Sequence, residues 1–227
     1  VNAPDRLADG AVLSRPAAVL FDWDNTLIDS WPTIQDAQNH VFRHFGMPTW
    51  TLEETRQRVR GSMRDAFPPM FGDRWEEAGE VFYARFAERH LETLTPLPHA
   101  ETLLEHLSGI GIYLGMVSNK KGDYLRRETA HLGWDRHFGG IVGAFDAARD
   151  KPAPDPVDLA LADSAIKRGP SVWFVGDADI DITCAENAGC VPVLMRESPP
   201  KPGEFQAPGP AMCVPGCEAL CNVLRNL

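Results

Sequence analysis

Short stretches that are apolar at nearly every position recur along the chain: AAVLF at 17–21, IYLGMV at 112–117, VWFV at 172–175 and VPVL at 191–194. A strand with one wet face alternates apolar and polar residues; a run apolar at consecutive positions must be covered on both faces. Sheets covered on both faces are typically the parallel sheets of α/β proteins. The segments 101–107, 123–132, 156–166 and 180–188 have helical character and separate these runs, while 140–142 opens a further short strand. Alternation of this kind predicts βαβ units and a Rossmann-like, three-layer α/β core with a parallel sheet.

Between residues 30 and 94 the texture changes. No β-rich run occurs, and helical periodicity dominates. Thr51-Leu-Glu-Glu54 and Asp73-Arg-Trp-Glu76 both fit a capping box. The second precedes an amphipathic stretch over 75–94, with Val81, Phe82, Phe86 and Leu91 as expected core positions. Pro96-Leu-Pro98 then punctuates the return. The expected organisation is a core of residues 1–28 and 97–227, with a helical cap, 29–96, inserted after the first strand. Ligands of open parallel sheets bind beyond the carboxyl ends of the strands, so this insertion is expected to lie over the site.

Bulk properties exclude several classes. A formal charge of −10 over 227 residues argues against a binder of nucleic acid, which needs a basic face. A small anionic substrate stays compatible, because a local cation reverses the field within one pocket. No run approaches the ~18 apolar residues of a membrane span. The opening stretch, VNAPDRLADGAVLSRP, has no basic-then-apolar leader pattern, and a cytoplasmic enzyme is the expectation. It starts without Met, which is compatible with processing or truncation. Five cysteines do not form a secreted disulfide framework. Cys213, Cys217 and Cys221 recur every four residues, but no fourth metal ligand accompanies them and a Val-Pro step follows Cys213, so they read as buried or reduced thiols.

Four polar clusters fall at or near strand ends: Asp22-Trp-Asp24-Asn-Thr26, Ser118-Asn119, Lys151-Pro152 and Gly176-Asp177-Ala-Asp-Ile-Asp181. Each has a bland reading. Asp and Asn are ordinary turn residues, Ser118-Asn119 could cap a helix, Lys151 could be exposed, and the acids from Asp177 could complement a helix dipole. Together they supply a nucleophilic carboxylate, acids able to hold a hard cation, a hydroxyl donor and a lysine. Phosphoryl transfer needs that inventory.

In these motifs the chain resembles the haloacid dehalogenase superfamily, in its phosphoglycolate phosphatase-like and beta-phosphoglucomutase-like branch with a helical cap. FDWDNT looks like the family's DxDx[TV] motif, VSN its hydrophobic-run-then-Ser/Thr motif, and VGDADID the GDxxxD form of its acidic motif; KPAPDP supplies the lysine. The resemblance spans roughly 19–194. It implies that Asp22 attacks phosphorus and that Asp24 protonates the leaving oxygen and then deprotonates water. It implies a Mg²⁺ ion held by the Asp22 carboxylate, the Asp24 backbone carbonyl and Asp177. Ser118, Asn119 and Lys151 would bind the phosphoryl group, Asp181 would stand one layer behind the metal, and Thr26 would order the loop. The implied partner is a small phosphate ester, phosphoglycolate or a sugar phosphate, with monomer and homodimer both open.

Rival chemistries remain on the same scaffold. A dehalogenase would lack the second aspartate. A phosphonoacetaldehyde hydrolase would need a cap lysine, and residues 30–97 contain none. A sugar phosphomutase uses the same catalytic set, and the cap would decide between it and a phosphatase. A non-catalytic binding module would be expected to miss a core residue, and every one is filled. Within the cap, Arg58, Arg60 and Arg64 flank Gly61-Ser62; Arg60 and Arg64 are candidate substrate contacts, with an exposed basic surface as the alternative. His40 and His44 read as partly buried or solvated rather than as ligands. Asp146 and Asp155 suggest only turn and cap chemistry, and the Pro-rich 198–210 segment an ordered surface loop.

Overall fold

The computed structural model describes residues 14–59 and 61–227. β1 (Ala18–Phe21), β2 (Tyr113–Lys121), β3 (Gly140–Ala144), β4 (Val172–Gly176), β5 (Val191–Met195) and β6 (Met212–Val214) form one sheet in the order β3-β2-β1-β4-β5-β6. Every pairing is parallel. Side chains alternate across β1, so the run buries both ways. Val19 and Phe21 join the cluster containing Leu103, Leu104 and Leu107 of α5 (Ala100–Gly109) and Leu220 and Leu224 of α9 (Cys217–Arg225). Ala18 and Leu20 join Val157 and Ala160 of α7 (Asp155–Ala160), with Cys184 and Ala185 of α8 (Asp179–Ala188). Each large buried side chain contributes about 1.5–3 kcal/mol, so covering both faces is what makes these apolar runs tolerable. The fold is the expected helix–sheet–helix α/β core.

Glycines mark where backbone must come close. A Cβ at Gly140 would meet the Ala160 backbone, and one at Gly176 would collide with the Asp181 side chain.

The insertion between β1 and α5 consists of α1 (Trp31–His44), α2 (Leu52–Arg58), α3 (Met63–Phe71), a 3₁₀ turn (Gly72–Arg74) and α4 (Trp75–Arg89). Its own small core contains Val41, Phe67 and Ala78, with Phe71 and Phe82 packed against them. Where the chain leaves and returns, the two segments are clasped. Asp29 N donates to Thr95 O (2.9 Å), Leu97 N donates to Leu27 O (2.8 Å), and Ile28 bridges Pro96 antiparallel.

Several expectations are corrected. Thr51 and Glu54 do form a reciprocal capping box, but Asp73 and Glu76 do not. Asp73 lies within the 3₁₀ turn, which runs directly into α4, and no side chain caps that helix. α4 ends at Arg89, and only turns continue towards Leu94. Leu91 and Val81 are only partly buried, whereas Phe86 is buried. α7 stops at Ala160 instead of 166. The Ser164 hydroxyl donates to Leu161 O (2.7 Å) and accepts from Ile166 N (3.1 Å), drawing the backbone into a turn. β6, at 212–214, adds a strand beyond those expected. Of the cysteines read as buried or reduced thiols, all three are free and Cys217 and Cys221 are buried on α9, while Cys213 is exposed on β6. His40 is exposed, and His44 pairs with Glu77 at 3.0 Å. Asp146 pairs with Arg126, and Asp155 opens α7 and pairs with Arg149. Within the Pro-rich segment, Glu204 pairs with Arg196 at 2.7 Å. No described helix is long and apolar enough to cross a membrane.

Candidate active site

The carboxyl end of β1 fixes the first group. Asp22 N donates to Val175 O of β4 (2.9 Å), and the chain then turns sharply. Leu27 N and Ile28 N both donate to Trp23 O, and Asn25 adopts φ 64°. Asn tolerates that left-handed conformation better than most residues. The turn therefore presents the Asp22 and Asp24 side chains near the end of the sheet. Thr26 is fully buried beneath them, with its hydroxyl 3.5 Å from both Asp22 Oδ2 and Asp177 Oδ1.

Lys151 is the central cation. Its side chain is 2% exposed, and Nζ donates to Asp22 Oδ1 and Asp181 Oδ1, both at 2.7 Å. Two bonds from Asn119 hold its backbone: Asn119 Nδ2 donates to Lys151 O (3.2 Å), and Lys151 N donates to Asn119 Oδ1 (3.1 Å). Asn119 therefore orders the lysine segment with its side chain. Ser118 is buried beside it and accepts from Lys120 N (3.2 Å). The β2–β3 register shifts between Val117 and Lys121, an irregularity of the sort that re-aims side chains beside a site.

Asp22, Asp177 and Asp181 can each place an oxygen within 4.8 Å of the others. Asp181, expected one layer behind the metal, accepts from Lys151 Nζ through Oδ1 and from Ala178 N through Oδ2. Burial, reinforced by Asp181 and Asp24 and opposed by Lys151, pushes Asp22 up to about 7. Burial together with Asp181 and Asp22 raises Asp177 well above the usual carboxylate range. Burial alone would lower Lys151, but Asp181 and Asp22 outweigh it and hold the ammonium charged. One cation thus faces three converging carboxylates. A hard divalent cation with oxygen preference fits this donor set and its uncompensated charge. Lys120 engages Asp24 Oδ1 at 2.7 Å, which leaves Oδ2 and the backbone carbonyl of Asp24 outside that ion pair.

Lys120, like its partner Glu128, is not among the candidates the sequence offers. Its Nζ also lies 2.6 Å from Glu128 Oε2, and the Glu128 carboxylate accepts from Trp23 Nε1 (2.6 Å). Arg196 was missed as well. It donates from Nη1 to Asp177 O (3.0 Å) and so braces the acidic loop. The only sequence signal for Lys120 was its place directly after VSN; Arg196 had none beyond following β5.

A cavity of about 180 Å³ opens over Asp22, Asp24, Ser118, Lys151 and Asp177 and is walled on the insertion side by Trp31, Trp50, Phe67, Phe82 and Phe86. Arg58 and Lys121 also line it. Arg64 does not: its guanidinium binds the buried Asp150 carboxylate and stacks on Phe145, 4.9 Å from the ring centroid. It ties the insertion to the loop after β3. Arg60 lies outside the described residues.

Comparison with known proteins places this geometry. The family described as haloacid dehalogenase-like hydrolase matches residues 19–195. The chain is 30% identical over 172 residues to the phosphoglycolate phosphatase of Aquifex aeolicus, covering 75% of this chain and 80% of that protein. It is 32% identical over 178 residues to the phosphoglycolate phosphatase of Xanthomonas campestris pv. campestris, covering 77% and 80% respectively. Among solved structures, a HAD-superfamily hydrolase from Ehrlichia chaffeensis superposes with a TM-score of 0.64 at 28% identity, over 95% of this chain and 98% of that one.

Proposed function

Because the chain belongs to the haloacid dehalogenase-like hydrolase family, we propose that it is a Mg²⁺-dependent phosphatase acting on a small phosphorylated metabolite through an aspartyl-phosphate. The observation that carries this reading is the meeting of Asp22, Asp177 and Asp181 around Lys151, with Ser118 beside them at the carboxyl end of the sheet.

In the first step an Asp22 oxygen bonds to phosphorus and the P–O bond to the leaving group breaks. Asp24 gives a proton to the departing oxygen. In the second, water attacks phosphorus, Asp24 takes its proton, and the Asp22–phosphorus bond breaks. Lys151 and Asp181 restrain the Asp22 carboxylate, and the Ser118 hydroxyl and Lys151 ammonium hold phosphoryl oxygens. Asp22 and Asp177, with the Asp24 carbonyl, would hold Mg²⁺, which neutralises charge so that an anionic nucleophile can meet an anionic phosphate. Residues 29–96 act as the cap. The name borne by the curated relatives makes phosphoglycolate the leading substrate, with a sugar phosphate next. Arg58 and Lys121 on the cleft wall suit a substrate carried by a second anionic group.

Phosphate release should be measured over a panel of phosphorylated metabolites, with Mg²⁺ and with excess chelator. The reading expects chelation to lower turnover by about 100-fold or more, restored by added Mg²⁺. Undiminished activity after complete metal removal contradicts it. Isomerised phosphosugar without net phosphate release transfers the site to phosphomutase chemistry.

A further inference from the structure

A second buried charge network lies beside the Asp22–Lys151 pair, and the reaction steps above make no use of it. Lys120, whose side chain is 6% exposed, places Nζ 2.7 Å from Asp24 Oδ1 and 2.6 Å from Glu128 Oε2. Glu128 is fully buried on α6 (Gly122–His131). It accepts from Trp23 Nε1 at 2.6 Å and from His90 Nδ1 at 2.8 Å. His90 immediately follows α4, the last helix of the insertion, and Phe86 one turn earlier lies under the Lys120 ammonium, 5.1 Å from Nζ to the ring centroid.

Such an arrangement is costly where members stay unsatisfied. His90 Nε2 has no hydrogen-bond partner among the described residues, and the Lys120 contact with Asp24 Oδ1 is an ion pair without hydrogen-bond geometry. Here the lysine is held raised and charged: burial opposes the charge, but Asp24 and Glu128 outweigh it. Glu128 is held low by Lys120 and its hydrogen bonds despite burial. The Lys120 ammonium is therefore fixed from three sides, by Glu128, Asp24 and the Phe86 face. Asp24 receives the one contact that Glu128 does not supply. Its carboxylate stays 18% exposed and lines the cleft. A surface aspartate two residues into a turn would sample several rotamers; this one is pinned by an ammonium that is itself immobile.

We propose that Lys120 is the positioning residue for Asp24, held in place by Glu128, and that Phe86 and His90 let the insertion contribute to that position. The proposal rests on the reading of Asp24 as the group that moves the proton. Lys120 acts through Asp24, so its loss should matter in proportion to the leaving group's need for a proton. An alkoxide leaves poorly without one; p-nitrophenolate leaves as a stable anion.

The test compares kcat/KM of Lys120→Met on the best alkyl phosphate of the panel and on p-nitrophenyl phosphate. That ratio reports the steps up to departure of the leaving group, whereas hydrolysis of the aspartyl-phosphate calls on Asp24 for both esters. General acid catalysis contributes about 10²–10⁴-fold, so kcat/KM on the alkyl ester should fall by about 100-fold. On p-nitrophenyl phosphate the fall in kcat/KM should be on the order of threefold. Since Lys120→Met strands Glu128, the same comparison is made with Lys120→Met/Glu128→Gln, in which Trp23 and His90 can still donate to the amide oxygen. Equal losses on both esters, or no loss on the alkyl ester, overturn the positioning role. If the wild type hydrolyses neither ester, the phosphatase reading itself fails, a result distinct from either outcome in the variants.

Discussion

Asp22→Asn is expected to lower kcat by about 10⁴-fold or more while leaving a folded protein. The amide keeps the shape and the contact with Lys151 but cannot form an acyl phosphate. The stability side of this prediction has a definite sign. In the folded protein burial raises Asp22 from an ordinary 3.8 to about 7. A raised carboxylate contributes stability that is fully present below the unfolded value and is lost as pH rises through the folded value. The metal-free wild type therefore loses stability between about pH 4 and pH 7 on account of this group. Asp22→Asn removes that loss, so its melting temperature should equal or exceed that of the metal-free wild type at pH 8. A variant that retains near-normal turnover would show that another group attacks phosphorus.

The second large effect is on stability. Lys151→Met should destabilise the metal-free protein by about 3–5 kcal/mol at pH 8, the usual result of removing one partner from a buried ion pair. Asp22 and Asp181 each lose a 2.7 Å contact with Nζ, and Asp177 stays within the same cluster. The carboxylates can escape by binding protons, and Asp22 is already raised to about 7 with the lysine in place. Without Lys151 its affinity for a proton rises further, so above pH 7 the variant holds a proton that the wild type has lost. The deficit should shrink as pH falls towards about 7 and stay level below it on account of this group. Denaturant unfolding at pH 8 and pH 5 checks this. A deficit of the same size at both pH values would mean that the lysine stabilises by packing rather than by charge.

Much of this architecture is legible in the chain because it depends on local pattern. Runs such as VWFV and IYLGMV betray a doubly covered sheet by their lack of alternation, and the polar residues that follow must gather at one end because parallel strands all point the same way. That logic brings Asp22, Ser118, Lys151, Asp177 and Asp181 together without any knowledge of side-chain contacts. It fails where the deciding interaction is tertiary. Nothing near His90 announces Glu128, and nothing near Lys120 announces that its charge is buried between two acids from different elements. Arg64 looked like a substrate contact because a glycine and two other arginines stand nearby, but its partner Asp150 is 86 residues away. β6 was missed for a different reason: three residues, Met212–Val214, are too few to show any period, and packing beside β5 makes them a strand. In α9 the spacing of Cys217, Leu220, Cys221 and Leu224 was a helical stripe all along. Its cysteines, read as buried or reduced thiols rather than as metal ligands, lie in that stripe and are buried.

The central claim is that phosphorus becomes bonded to Asp22, and chemical trapping tests it most directly. The enzyme should be acid-quenched during steady-state turnover of its best substrate and treated with borohydride, which reduces an acyl phosphate to the alcohol. Peptide mass spectrometry then locates the modified residue. The account predicts homoserine in place of aspartate at position 22, in a substrate-dependent fraction of the protein. Modification at another carboxylate, or an unmodified Asp22 in an enzyme caught mid-turnover with phosphorus bonded elsewhere, would contradict it.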